Sequence, residues 1–503
     1  MNTARYFFTA LAWGLSASIW ADSLPVSVVH SRPAQLRLSH EIVNLSTAED
    51  MGLSGVGYLV NATPSTYLGL SAYGATSGGR GGFFTGGATV GTGARWGRTT
   101  LDAGLFVGGG GGGAAPQGGG LMIRPHVGIG YDLGGYQWSL GASWVKFPNG
   151  SIDSKQAFVS LGIPFEVLYA DRSRAWAHLE STAGWDERPA QLKATTARYR
   201  ADSGALTTSG QRQADFDTIG FAYERKLGEG GWFAELETAG ARTGGSDGYA
   251  EVLAGGGWGV TLPATRTQLK LALALGAAGG GSVDTQGGGI ARAKLTVRQP
   301  VGSRAGIALN LGKLTSAGGF GADYLGIDLT YRLGEVTRGN ATPRALYLQP
   351  WDIGFSHQHY AKAQRKSGPG QAMDLVGIKI ARSLDDHLYF TGQAYGAYAG
   401  EAGGYAVGLM GLGAEWSLAA RWNVSLEGLA GAGGGGGVAS GGGALWQAQA
   451  GLAYRLTRAS HLQMEIGKVT APSGNLNATL FNLNWVYRFT RPEAGMGTGY
   501  ASR

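Results

Sequence analysis

The sequence predicts an all-β protein, an antiparallel transmembrane β-barrel written as three tandem repeats of about eight strands each. Three observations carry this. Apolar and polar residues alternate with period two over segments of about ten residues, the length a tilted strand needs to cross a bilayer. Glycine is extreme, at 91 of 503 residues, without the strict triplet spacing of collagen. A set of landmarks also recurs three times in the same order.

Taken from the N-terminus, residues 1–21 (MNTARYFFTALAWGLSASIWA) place one arginine before an apolar run that ends at the small residue Ala21. This reads as a signal peptide, so the chain is expected to leave the cytoplasm. No later stretch supplies the ~20 continuous apolar residues of a spanning helix. The chain has no cysteine, which excludes thiolate metal sites, a catalytic cysteine and an iron–sulfur cluster. A formal net charge of +7 with no run of Lys and Arg gives no reason to expect nucleic acid.

The repeats then follow. Glycine-rich stretches end in triplets starting at Gly118, Gly287 and Gly441. Tryptophans sit before turns at Trp96, Trp258 and Trp416, and a lysine opens the same loop at Lys146, Lys313 and Lys468. RPAQLR at Arg32 returns as RPAQLK at Arg188, and the third unit lacks it. The implied division is repeat one at 22–170, repeat two at 171–340, repeat three at 341–490 and a polar tail at 491–503. The period, about 160 residues, is far longer than that of any solenoid repeat.

Within repeats the alternation is regular. Trp138, Leu140, Ala142 and Trp144 oppose Gln137, Ser139, Gly141 and Ser143; Leu325, Ile327, Leu329 and Tyr331 oppose Tyr324, Gly326, Asp328 and Thr330. A soluble β-sandwich alternates equally well, but its strands are shorter and less uniform. The repeated tryptophans fit an aromatic girdle at a lipid–water boundary.

The last apolar strand, NLNWVYRF, with Leu483, Trp485, Tyr487 and Phe489 on one face, resembles the terminal strand of bacterial outer-membrane β-barrels. It departs from them in carrying a polar tail after Phe489. The resemblance implies residence in the outer membrane among lipid and lipopolysaccharide, and insertion by the barrel-assembly machinery. It names no function.

The glycines read as shape: tight turns, coiled strands, and room for bulky neighbours across a narrow barrel. Junctions of about twenty residues favour three compact barrels over one barrel of about 24 strands, whose wide lumen nothing in the chain could fill.

Candidate chemistry is sparse. A basic inner face is expected from Arg124, His126, Arg292, Lys294, Arg298 and Arg455, either as an anion-attracting lining or as part of a network neutralised by Asp102, Asp132, Glu166, Asp328 and Glu427. His357 and His359 share one strand face and are candidates for a metal, but no third ligand is fixed by spacing, and Ser356 faces the other way. Lys146, Lys313 and Lys468 are candidates for lipopolysaccharide phosphate at the membrane rim, or for lysines that simply end a strand by snorkelling.

No cofactor and no enzymatic activity are expected. The functional expectation is a scaffold or accessory for surface assembly or export, with an exported polymer or envelope protein as partner. The alternative is a wide conduit, porin-like or for export, filled by a partner or polymer. A lipid-modifying hydrolase is a distant third.

Overall fold

The computed structural model describes residues 29–45, 49–179, 184–340 and 345–495; the signal-peptide reading lies outside them. The protein is antiparallel β throughout, with eight-stranded barrels as its unit. Ala190–Ala201 through Gly321–Leu333 form a closed barrel, the first strand pairing with the eighth from Ala190↔Leu333 to Ala201↔Ala322. The strands on either side repeat that pattern. His30–Asn44 returns onto Asp153–Asp171, and Leu346–Ala363 onto Asn477–Ala494. Repeats one and three also share a short edge, Asp171↔Phe489 and Ala170↔Thr490, which makes their hydrogen bonding continuous.

The alternation places side chains as the period predicts. In Ala305–Ser316, Ile307, Leu309 and Leu311 face outward and are about half exposed, while Ala308 and Asn310 are buried inside. Apolar residues outside and polar ones inside is the arrangement of a barrel dissolved in lipid. Trp96, Trp138, Trp232, Trp258, Trp416 and Trp422 are all exposed and all lie at the end of the barrels where His30 and Ala494 stand (the terminal end), forming one girdle. Turns at that end are short, such as Gly97–Arg98 and Gly134–Gly135; the glycine-rich loops close the opposite end. Short turns mark the periplasmic side, so the glycine loops face outward from the cell.

Two boundaries move. The strand that closes repeat three runs on to Ala494, because residues 491–494 of the expected tail continue its pairing with Leu346–Gln349. The second junction is shorter than its sequence suggests, since LYLQPW already belongs to Leu346–Ala363. The two linkers meet through a two-stranded pairing of Trp185–Glu187 with Val336–Arg338. Around it Val29, Leu168, Ala170, Trp185, Val336, Leu346, Leu348 and Ala494 make a small apolar core drawn from all three repeats.

Candidate functional site

Two features concentrate chemistry: the barrel interiors and the contacts between repeats. In repeat two, five buried cations (Lys193, Lys270, Arg292, Lys294, Arg298) share the interior with five buried carboxylates (Glu224, Glu235, Glu237, Glu251, Asp328). Lys193 lies 2.7 Å from Glu224 and 2.5 Å from Glu235; Lys270 is 2.6 Å from Glu224, and Lys294 is 2.5 Å from Glu235. Arg292 reaches Glu237 at 2.5 Å, and the Tyr199 and Tyr249 hydroxyls donate to Glu251 at 2.9 and 2.8 Å. Alternate charges within hydrogen-bond reach are what makes ions tolerable away from water.

The other repeats follow suit. Arg124 grips Glu41 through two bonds of 2.7 and 3.2 Å, and Asp102 holds both Arg37 and His126, at 3.0 and 3.1 Å. Lys379 lies between Glu427 at 2.5 Å and Glu465 at 2.7 Å, with Gln449, Asn482 and Asn484 donating to these carboxylates. Towards the glycine-loop end each interior is closed by apolar and aromatic packing, such as Tyr199, Phe216, Tyr249 and Phe320 in repeat two. Glycines inside make room for it: a Cβ on Gly55 would sit 2.5 Å from the Tyr73 ring.

Arg124, His126, Arg292 and Lys294 therefore belong to neutralised interiors; Arg298 lies in the same interior as Lys294, donating to the Thr330 hydroxyl at 2.9 Å and making no ion pair among the described residues. Arg455 belongs to no interior: it falls at the terminal end of its strand and is exposed. Among the expected neutralisers Asp102 and Glu427 serve, whereas Asp132 pairs with Arg95 at an exposed turn. Asp328 is buried inside but makes no ion pair among the described residues. Sequence reading missed Glu41, Glu235, Glu237, Glu251, Lys193, Lys379 and Glu465. Their signal was present, since each occupies the polar phase of an alternating strand, as in AELETAG.

His357 and His359 lie on the outer wall and share Asp374, His359 Nδ1 at 2.6 Å and His357 Nε2 at 3.8 Å. Ser356 is buried on the other face, so no serine–histidine pair forms there. Among the described residues no group of three or more potential ligands could hold a metal. The three rim lysines all face outward. Lys146 pairs with Asp153 at 3.1 Å, and Lys313 with Asp202 and Asp323 at 2.5 and 3.2 Å.

The glycine loops do more than turn the chain. Each loop packs on the neighbouring repeat's turn between its third and fourth strands or the equivalent. The loop after Thr99–Gly111 meets 396–404 of repeat three; that after Gln268–Gly279 meets 75–82 of repeat one; that after Trp422–Gly434 meets 241–248 of repeat two. Backbone approaches backbone: Gly404 N–H donates to Gly110 O at 3.3 Å, and Gly81 N–H to Gln286 O at 2.6 Å. Ser440 Oγ and Lys366 Nζ reach Asp247 at 3.2 and 2.8 Å. A Cβ on Gly434 would fall 2.4 Å from Gly248 N, and one on Gly109 would fall 2.5 Å from Gly396 O. The contacts run head to tail, one onto three, three onto two and two onto one, which is a heterologous interface closed into a ring.

No family model and no curated protein matches the chain. Solved structures that align with it include the Pseudomonas aeruginosa outer membrane protein OpdK, at 11% identity over 92% of this chain and 98% of that one, TM-score 0.23. The P. aeruginosa ferric enterobactin receptor PfeA, solved with enterobactin, aligns at 10% identity over 91% of this chain and 81% of its own, TM-score 0.29. Those TM-scores lie well below 0.5, and the class of the protein is set by its own strands. Closed antiparallel strands with an apolar belt, a tryptophan girdle and a polar, filled interior define a bacterial outer-membrane β-barrel protein, and the outer membrane is where it resides.

Proposed function

We propose that the chain is a non-catalytic outer-membrane scaffold made of three compact barrels, each sealed by its own interior and fastened to the others by the glycine loops. The observation that carries this is the filled interior. Eight strands enclose a space just wide enough for side chains, and here that space holds paired charges and buried aromatics. Such a body offers a rigid, wide platform at the cell surface for lipopolysaccharide, for an envelope protein or for a polymer under export, after insertion by the barrel-assembly machinery. The test is conductance of the purified protein in a planar bilayer, with little or no steady current expected.

A second reading, an outer-membrane channel, draws on a different observation. At the terminal end, Glu335 of the linker lies 3.7 Å from both Arg225 of repeat two and Arg491 of repeat three, beside the exposed Tyr58 of repeat one. Polar groups from three units converge there, so passage would run between barrels rather than through them. Large, stable openings that change on Arg491→Ala would establish this reading in place of the scaffold.

A further inference from the structure

The outer walls of the three repeats are not equivalent. On each, the rim lysine stands across from a residue of the preceding strand, and that residue from one on the strand before it. In repeat one the row is Val107, Ile123, Lys146; in repeat two it is Leu273, Ala293, Lys313. In repeat three it is Gly428, Ala448, Lys468. The next row inward carries Leu271, Leu295 and Leu311 in repeat two, but Leu426, Ala450 and Ile466 in repeat three.

Loss of these side chains opens a groove of about 530 Å³ on the third wall, bordered by Leu388, Leu412, Leu426 and Ile466 and ending at Lys468. A Cβ placed on Gly428 would meet nothing within 4 Å. Its mouth is charged. Lys146 and Lys313 are committed to aspartates, whereas Lys468, exposed, has no ion pair or side-chain hydrogen bond among the described residues. Lys468 also lies near the glycine-loop end, the end that faces the outer leaflet.

We propose that this groove is a specific site for lipopolysaccharide, one acyl chain of its lipid A lying over Gly428, Ala448 and Ala450 and a lipid A phosphate meeting the Lys468 ammonium. An apolar trough with a single unpaired cation at its leaflet-facing end is complementary to an anionic amphiphile of that leaflet. The site rests on membrane residence and is indifferent to whether the protein conducts.

The experiment is lipid binding to the detergent-purified full chain, read by intact-complex mass spectrometry with lipid A, its dephosphorylated form and phosphatidylglycerol. Wild type is expected to retain one tightly held lipid A. Lys468→Gln is expected to weaken it about fivefold, the worth of one lysine near a charged surface. The pair Gly428→Leu with Ala448→Leu, which refills the wall, is expected to weaken it at least as much, and Lys313→Gln to leave it unchanged. Dephosphorylated lipid A should bind wild type no better than lipid A binds Lys468→Gln. Each variant is checked for heat-modifiable migration. Equal retention by wild type and the refilled groove, an unchanged affinity in Lys468→Gln, or equal binding of phosphatidylglycerol would overturn the proposal.

Discussion

Replacing Gly434 by alanine adds one methyl group at a backbone that has no room for it. The Cβ would stand 2.4 Å from Gly248 N and 2.8 Å from Gly248 Cα, in the neighbouring repeat. Ordinary contact needs roughly 3.4 Å or more, so repeats two and three must separate locally by about 1 Å, or their loops must bend. Neither obstacle is a flexible side chain, and Gly434 has no positive φ, so the cost is one of space rather than backbone conformation. Overpacking of this kind costs about 1–3 kcal/mol. Gly109→Ala applies the same wedge between repeats one and three, its Cβ falling 2.5 Å from Gly396 O. The two sites lie on different interfaces, so their effects should add to about 2–6 kcal/mol in the double variant. Gly392→Ala is the control, because its Cβ meets nothing within 4 Å. Two readouts apply: the urea midpoint in micelles, and the yield of a zero-length carbodiimide cross-link between the Lys366 ammonium and the Asp247 carboxylate, which stand 2.8 Å apart across the interface, read by peptide mass spectrometry. Both should fall for the wedge variants and hold for the control. If the double variant unfolds and cross-links as the parent does, the glycine loops are not what fastens the repeats.

Other outcomes follow from the interiors and turns. Lys379→Met leaves Glu427 and Glu465 buried without their cation and should cost about 3–5 kcal/mol in the same urea assay, while the triple variant with Glu427→Gln and Glu465→Gln should regain most of it. Steady conductance of the wild type should stay near zero in a planar bilayer, and large openings that Arg491→Ala leaves unchanged would show that a barrel interior itself conducts. In the turn at Asp385, the backbone N–H groups of His387 and Leu388 donate to its carboxylate at 2.8 and 2.7 Å and hold its pKa below the usual value. The stabilisation is therefore present above the unfolded pKa of about 3.9 and lost as pH falls through the lower folded value. A carboxyl titration of that residue by NMR that lies at or above about 3.9 would contradict this.

Alternation alone made strands, faces and the outward rim lysines legible, because a period of two leaves a side chain only two directions. Ion-pair partners were harder to read. Which inner carboxylate meets which cation depends on barrel shear and on contacts across the lumen, as with Lys193 and Glu235, 42 positions apart. Asp132 and Arg455 occupy the correct phase but lie too near a strand end to be enclosed. The role of the glycine loops was half visible. A sequence records that a side chain is missing, but not whose backbone takes up the space, and for Gly109 that backbone lies nearly three hundred positions away.

The head-to-tail order of the loops also bears on how the protein comes into being. Repeats two and one, and three and two, meet as neighbours along the chain, but the loop of repeat one awaits the last repeat to be made. Until residues 396–404 arrive, that loop presents bare backbone to its surroundings, the kind of unpaired surface that invites aggregation. A chain cut short after the second repeat thus never hides its first glycine loop. Such a chain also leaves the 241–248 turn of repeat two uncovered, so a truncated molecule differs from a finished one by two exposed backbone faces, one on each remaining repeat.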